Sequence, residues 1–377
     1  MSAHLYIHVP FCGNKCLYCD FFSVPGRKIP WERFLNALTQ EARCRKNELP
    51  EEPTTIYLGG GTPSLMPGEI AAELLSRLRN LFGSKASEIT IELNPDDVNS
   101  EYVDTLLRSG YNRFSMGIQS FDDTCLRTMG RRHTSAQAIA AAELLKERNC
   151  NMSLDLIFGL PHQTFEIWKR DVATAIALNP SHISCYSLML EEGTPLTRMV
   201  NQGRISVPDD SISAQMYRHL QSELNLAGYR HYEISNFALP GYESRHNSAY
   251  WNSSPYLGLG PGAHSYDGSR RRRFNPTSVE EYLKKYADRE ESRYSPEDEV
   301  LSTEDLAHEY LLTRLRTARG LSEKSYEQLT GEKSLGRLKA AMKTHLESGN
   351  LIYTAEGRIR IPESKWLTAD TIISSLF

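Results

Sequence analysis

Three cysteines near the N-terminus are the residues of this chain best suited to chemistry. Cys12, Cys16 and Cys19 lie within eight residues, in a Cys-x3-Cys-x2-Cys spacing. Three thiolates can hold a cubane iron–sulfur cluster and leave its fourth iron open to a small molecule, whereas a closed structural zinc site takes four ligands. The spacing therefore predicts a 4Fe–4S cluster with an open iron. A zinc site completed by His8 or Asp20 stays as the alternative, beside chance clustering.

The first half of the chain alternates short apolar runs with amphipathic stretches. The apolar runs, which predict buried strands, are residues 5–9, 55–58, 88–93, 113–118, 152–157 and 182–190. The amphipathic stretches, which predict helices, are residues 31–46, 69–82, 101–109, 136–148 and 164–178. Each strand with its helix takes about 30 residues, the size of a βαβ unit. Six such units with right-handed crossovers predict an α/β fold, a partial (β/α)6 TIM-like barrel.

Polar residues follow several predicted strands, at the edge where a barrel carries its catalytic groups. The cysteine loop and the glycine-rich segment 59–63 come first, followed by Glu92, Gln119 and Asp155. Glycines let a backbone approach a ligand with unblocked N–H groups, although such a turn also serves as an ordinary loop. A buried carboxylate or amide needs a partner, which a ligand or the protein itself can supply. We expect these residues to share one site.

The cysteine spacing, with the aromatic Tyr18 before the third cysteine, resembles the signature of the radical S-adenosylmethionine (SAM) superfamily. The resemblance implies that Cys12, Cys16 and Cys19 hold a 4Fe–4S cluster whose open iron chelates SAM. It also implies that an electron from the cluster cleaves SAM to methionine and a 5′-deoxyadenosyl radical.

Within that superfamily the first half of the chain resembles the oxygen-independent coproporphyrinogen III oxidase-like branch. The glycine-rich segment 59–63 is similar to the branch's GGGTP motif, which receives the methionine end of SAM, and residues 186–189 would lie against the adenine. The SAM contacts that the resemblance implies are Tyr6, Tyr18, Gly60, Gly61, Thr62, Glu92, Gln119, Arg131, Asp155 and Met189.

The branch contains a porphyrinogen dehydrogenase, which decarboxylates two propionates in haem synthesis, and a HemW-type haem chaperone. Two departures favour the chaperone. The dehydrogenase carries a further cysteine where this chain has Phe21, and it has a long extension before the cluster, whereas Cys12 here is the twelfth residue. Delivery of haem to haemoproteins is the expected function, and radical chemistry on a porphyrinogen is the alternative.

A motif at residues 246–251 also favours the chaperone. It is similar to the HNxxYW motif of the HemW type, which implies haem contacts from His246, Asn247, Tyr250 and Trp251, with His246 as axial ligand. A histidine beside two aromatic residues also fits a buried structural histidine. His264 is the next candidate ligand. Four consecutive arginines at 270–273 would neutralise haem propionates or cover a solvated loop.

The remaining chain predicts a smaller C-terminal helical domain. We expect a radical SAM core over 1–232, a haem-motif segment extending the barrel over 233–285, and a helical domain over 286–377. Residues 284–304 are highly charged and predict a linker or solvated helix. Three helices and a hairpin, 351–354 with 358–361, resemble a winged-helix module.

Composition excludes several classes of function. The 377 residues carry a net charge of -4, which gives no reason to expect nucleic acid as a partner. No apolar stretch is long enough to span a membrane, and no signal-peptide pattern begins the chain, so we expect a cytoplasmic protein. The expected partners are haem, an apo-haemoprotein recipient such as a membrane respiratory enzyme, and a reductant such as a flavodoxin-type donor.

Overall fold

A 12-stranded sheet is the centre of the computed structural model, which describes residues 2–26 and 28–377. Its strands are β1 (Ala3–Val9), β2 (Pro53–Gly60), β3 (Glu88–Leu93), β4 (Arg113–Gln119), β5 (Asn151–Phe158), β6 (His182–Ser187), β7 (Arg230–Glu233), β8 (Asn236–Ala238), β9 (Tyr256–Leu259), β10 (His264–Tyr266), β11 (Arg271–Phe274) and β12 (Glu297–Val300). The first six pair in parallel in chain order, as predicted for a partial barrel.

Helices follow these strands and cover the outside of the sheet. They are α1 (Trp31–Arg45), α2 (Gly68–Phe82), α3 (Ser100–Ser109), α4 (Asp123–Thr128), α5 (Ser135–Glu147), α6 (Phe165–Leu178), α7 (Pro195–Asn201) and α8 (Asp210–Leu226). The five helices predicted between the strands are confirmed to within one residue at each end. Local signals set the bounds: Thr134 and Gln137 form a capping box before α5, and left-handed Gly110 ends α3.

Residues after α8 extend both edges of the parallel sheet. Strands β7 and β8 add antiparallel strands beside β6. Strand β9 pairs in parallel with the opposite edge, β1, and β10, β11 and β12 continue from it antiparallel. The short helices α9 (Arg245–Trp251) and α10 (Val279–Leu283) lie between these strands in the chain.

The prediction of a linker or solvated helix at 284–304 is wrong. One π-helical turn, Lys284–Asp288, follows α10, and β12 then pairs with β11. The pairing is favourable because Asp298 lies opposite Arg273, with Arg271 on the diagonal, and forms ion pairs with both arginines. The sheet therefore continues past residue 286, where the C-terminal domain was expected to begin.

The C-terminal module consists of α11 (Thr303–Leu315), α12 (Glu323–Thr330), α13 (Glu332–Glu347) and α14 (Ala369–Ser374), with a two-stranded hairpin. The predicted hairpin is confirmed but shorter, with strands Ile352–Tyr353 and Ile359–Arg360. One continuous hydrophobic core reaches from the barrel into this module, and the buried Trp366 packs edge-on against His231. No described helix combines the length and apolar character that crossing a bilayer requires.

A buried ion pair joins α1 to the extended edge of the sheet. Glu41 and Arg45, one helical turn apart, are 0% and 4% exposed, and Arg45 Nη1 lies 2.9 Å from Glu41 Oε1. Glu41 Oε2 also accepts hydrogen bonds from Gly260 N and Tyr282 Oη, each at 2.8 Å. Arg45 donates to the Gly258 carbonyl at 2.9 Å. The pair thus fixes β9 and α10 against α1.

Replacing Glu41 with glutamine should destabilise the fold strongly. The amide loses the buried one of the two carboxylate charges that compensate Arg45, the other being that of Glu48, and breaking a buried pair in this way costs about 3 kcal/mol. Urea denaturation followed by far-UV circular dichroism measures the change. The matched control is Glu73→Gln, which breaks the exposed Arg77–Glu73 pair and should cost under about 1 kcal/mol. Equal losses in the two variants would contradict the role of the buried pair.

Candidate functional site

A cavity of about 540 Å³ opens at the carboxyl ends of the parallel strands. All three cysteines of the N-terminal triplet line it, as does the exposed Phe21. Other lining residues that the sequence predicted are Tyr18, Gly60, Gly61, Thr62, Glu92, Gln119, Arg131, Asp155, Met189 and Asn247. The structure therefore brings most of the predicted residues into one space, as parallel strands should.

The cysteine loop is fastened at its base and at two of its sulfur atoms. Two short strands, Phe11–Cys12 and Val24–Pro25, pair across the ends of the loop. Thr62 Oγ1 donates to Cys12 Sγ, and Arg131 Nη1 donates to Cys16 Sγ, both at 3.5 Å. Hydrogen bonds of this kind orient thiolate ligands and tune a cluster.

The donor set of the loop fits an iron–sulfur cluster. Burial, with smaller contributions from Cys16 and Cys12, raises the pKa of Cys19 to about 11, so the Cys19 thiolate needs a positive partner such as a metal core. Among the described residues, no three ligating side chains converge on one point as a single ion would require. His8 is not a free fourth ligand, because its ring nitrogens contact Tyr6 Oη and the Phe22 carbonyl.

The glycine-rich segment differs from its expected role as a set of free N–H donors. The amides of Gly60, Gly61 and Thr62 already donate, to Glu92 Oε2 at 3.1 Å, the Val9 carbonyl at 2.8 Å and the Phe11 carbonyl at 2.7 Å respectively. A Cβ on Gly61 would lie 2.6 Å from the Phe11 carbonyl oxygen. The glycines therefore let β2 pass close to the base of the cysteine loop.

Two carboxylates inside the cavity have raised pKa values. Burial raises the pKa of Glu92 to about 7, although Tyr57 Oη donates to Glu92 Oε1 at 2.8 Å. Burial likewise raises the pKa of Asp155 to about 6, with Ser115 Oγ 3.3 Å from its Oδ2. A cationic or hydroxyl-rich ligand would stabilise both carboxylates in the charged form, which fits an amino group and ribose hydroxyls.

Arginine nitrogens supply the opposite charge in the same cavity. Arg131 donates to Asn94 Oδ1 at 2.6 Å, while its own Nε is buried without a partner. Arg113 is 2% exposed and also has a buried Nε without a partner. An anionic group such as a carboxylate would satisfy such donors. Gln119 lines the same wall with a positive φ of 72°, a strained geometry typical of binding sites.

Arg113 and Tyr57 are two of several cavity residues that the sequence did not single out, whereas Tyr6 was expected there and is absent from the lining. Arg113 begins β4 and Tyr57 lies within β2. In the sequence both look like ordinary strand residues, and only the fold shows that their side chains line the cavity. Tyr6, expected to contact SAM, does not line the cavity. Its hydroxyl is bonded to His8, and its ring stacks 6.2 Å from that of Tyr57, which stands between Tyr6 and the open space.

The HNxxYW helix α9 lies against the amino-terminal ends of the strands. Ser244 caps it, and the Glu88 carboxylate at the start of β3 accepts from the amides of Arg245 and His246. Asn247 reaches the floor of the cavity. Tyr250 packs edge-on against Tyr256 at 4.8 Å, and Arg316 lies 5.9 Å over the Trp251 ring.

His246, the axial ligand that the motif implied, is buried in this structure, which agrees with the alternative of a structural histidine. The side chain is 1% exposed and stacks 5.0 Å from the Tyr57 ring. Its Nδ1 lies 2.7 Å from Thr55 Oγ1 and its Nε2 lies 3.0 Å from Tyr250 Oη, so both nitrogens have partners. Burial lowers its pKa well below the usual value and keeps the ring neutral. In this arrangement His246 is a buried structural histidine.

Comparison with known proteins gives a consistent result. Residues 6–174 match the model of the radical SAM superfamily. The chain is 34% identical over 375 residues to the heme chaperone HemW of Bacillus subtilis (strain 168), covering 98% of each. It is 31% identical over 388 residues to a zebrafish (Danio rerio) mitochondrial radical S-adenosyl methionine domain-containing protein 1, covering 100% of this chain and 87% of that relative.

A solved structure confirms the fold over the whole chain. It is the radical SAM enzyme coproporphyrinogen III oxidase of Escherichia coli, with a TM-score of 0.83 and 22% identity. The match covers 100% of this chain and 90% of that chain.

The stability of the cofactor-free protein should depend on pH through Glu92. Because the folded-state pKa is raised from 4.5 to about 7, stabilisation is complete below pH 4.5 and is lost as pH rises through 7. The loss amounts to at most about 3 kcal/mol. Thermal unfolding from pH 5 to 8 should therefore decline more steeply for the wild type than for Glu92→Gln. Because the Asp155 charge helps to raise the pKa of Glu92, the difference between the two profiles includes this coupling, and parallel profiles would disprove the assignment.

Removing one cysteine of the triplet should prevent cluster assembly. After anaerobic reconstitution, Cys16→Ala should lose the brown absorbance and retain little iron and sulfide, because two thiolates do not hold a cubane. The control is Cys44→Ala, which removes an exposed thiol on α1 and should leave cluster content unchanged. Full absorbance in Cys16→Ala would remove Cys16 from the ligand set.

Proposed function

The chain belongs to the heme chaperone HemW family of the radical SAM superfamily, and from this membership we propose that it binds haem and delivers it to haemoproteins. The observation that carries the proposal is the length of the relationship, which spans 98% of this chain and 98% of the Bacillus subtilis chaperone. A shared barrel alone would not suffice, because one fold supports many functions.

Membership in the superfamily assigns a 4Fe–4S cluster and SAM to the protein. We propose that Cys12, Cys16 and Cys19 hold the cluster, and that the cavity beside them holds SAM. The cluster, when bound, supplies the electron for reductive SAM cleavage. Arg131 supports this placement because it spans Cys16 and the wall of β4, where it also donates to the Gly117 carbonyl. Glu92 and Asp155 offer acceptors to SAM's amino and hydroxyl groups.

For haem we propose an axial ligand different from His246. Residues 233–285 contain two histidines, and His264 is the exposed one. Its ring packs edge-on against Phe274 at 4.7 Å, and burial together with Arg272 lowers its pKa, which favours the neutral imidazole that ligates iron. Within the described residues no hydrogen bond occupies its ring nitrogens. His246 instead holds α9 in place beneath the barrel.

The proposal also covers the domains of the chain, its location in the cell and its partners. We propose that residues 1–232 act as the radical SAM core, that 233–300 extend the sheet, and that 303–377 form a helical module. The protein works in the cytoplasm, with an apo-haemoprotein recipient such as a respiratory enzyme and a flavodoxin-type reductant. The reducing cytoplasm suits its unpaired cysteines.

Haem titration of two variants tests whether His264 is the axial ligand and His246 a structural residue. His264→Ala should shift the Soret band and weaken binding about tenfold or more, because it removes the iron–nitrogen bond. His246→Ala should lower the thermal midpoint, because Thr55 and Tyr250 lose a buried partner, while leaving the Soret band in place. An unchanged spectrum in His264→Ala with a lost Soret band in folded His246→Ala would reverse the assignment.

Transfer and turnover assays test the function itself. Haem-loaded, cluster-containing protein should convert an apo-haemoprotein to its holo form, with and without SAM. The same protein, incubated anaerobically with SAM, reductant and coproporphyrinogen, should give no protoporphyrinogen at a catalytic rate. Turnover of coproporphyrinogen without haem transfer would establish the porphyrinogen enzyme instead.

A further inference from the structure

A second cavity, of about 310 Å³, lies between the end of helix α9 and the C-terminal module. Its wall contains three arginines, Arg314, Arg319 and Arg358, which come from α11, the turn after it, and the hairpin. The other lining residues are neutral and polar: Ser2, Asn252, Ser254, Tyr310 and Ser325. No carboxylate of the described residues lines this cavity.

These three arginines differ from their neighbours in having no acidic partner. Within the described residues none of the three forms an ion pair. Nearby arginines do so: Arg316 pairs with Asp370 at 2.7 Å, and Arg272 pairs with Glu309 at 2.9 Å. Three cations without an acidic partner therefore surround one cavity, although other arginines close by are paired.

Arg314 is the most constrained of the three. Its Nη2 donates to the Asn252 carbonyl at 2.9 Å, and its guanidinium lies 5.1 Å over the Tyr310 ring. Its Nη1 is buried and has no partner. Burial and the nearby charges of Arg319 and Arg358 lower the pKa of Arg314, which means that the three cations repel one another. A bound anion would remove that repulsion and satisfy the free Nη1.

We propose that this cavity binds a ligand through an oxyanion group carrying at least two negative charges. Planar guanidinium groups bind carboxylate and phosphate oxygens in pairs, and hydroxyl and amide groups of the lining can complete the contacts. The volume accommodates two carboxylate arms or a diphosphate, with the remainder of a larger ligand outside. Both haem, through its propionates, and a diphosphate-bearing ligand present this chemistry.

Binding measurements on single arginine variants test the site. Arg319 is exposed and its side chain has no described hydrogen bond, so Arg319→Gln should leave the fold intact. Arg358→Gln removes a second cation. The matched control is Arg360→Gln, two residues away on the same hairpin, which already pairs with Glu363. Inorganic pyrophosphate, haem and haem dimethyl ester are the probes, titrated at fixed low salt.

The three probes distinguish the source of the oxyanion. If phosphate is recognised, Arg319→Gln and Arg358→Gln should each weaken pyrophosphate binding about tenfold, with no change in Arg360→Gln. If propionates are recognised, the same variants should weaken haem binding while binding of the dimethyl ester stays the same. The proposal is overturned if neither pyrophosphate nor haem affinity differs between wild type and the two variants.

Discussion

The buried pair of Glu41 and Arg45 is the interaction on which the arrangement of the site depends. It anchors β9 and the turn after it, and Gly260 in that turn comes so close to β1 that a Cβ would lie 2.5 Å from the His8 carbonyl oxygen. His8 in turn contacts the Phe22 carbonyl at the end of the cysteine loop. An ion pair on the outer helix thus determines, through three contacts, where the loop of thiols lies.

A continuous series of side-chain contacts connects the cavity to the HNxxYW helix α9. Glu92 at the cavity wall bonds Tyr57, the Tyr57 ring stacks on His246, and His246 bonds Tyr250. These four side chains have few alternative hydrogen-bond partners, because the barrel encloses each of them. The motif residues therefore matter first for the shape of the barrel floor.

Much of the fold and about half of the cavity lining could be predicted from the sequence. Apolar periodicity located the parallel strands and their helices, and strand ends located Glu92, Gln119 and Asp155, because short-range pattern determines them. The burial of His246 could not be predicted, because the sequence around a histidine beside aromatic residues is similar at a surface and in a core. Arg113 and β12 were missed for a related reason. Both depend on contacts between segments far apart in the chain.

The order of residues along the chain has a consequence for synthesis. The three thiols leave the ribosome first, whereas Gly260, which positions the base of their loop, follows more than two hundred residues later. At typical elongation rates the interval is on the order of tens of seconds. During that time the loop has the strand pair at its base and then Thr62 and Arg131, but it lacks the support of β9 and the turn after it. The final position of the three thiols is therefore set only after residue 260 has been synthesised.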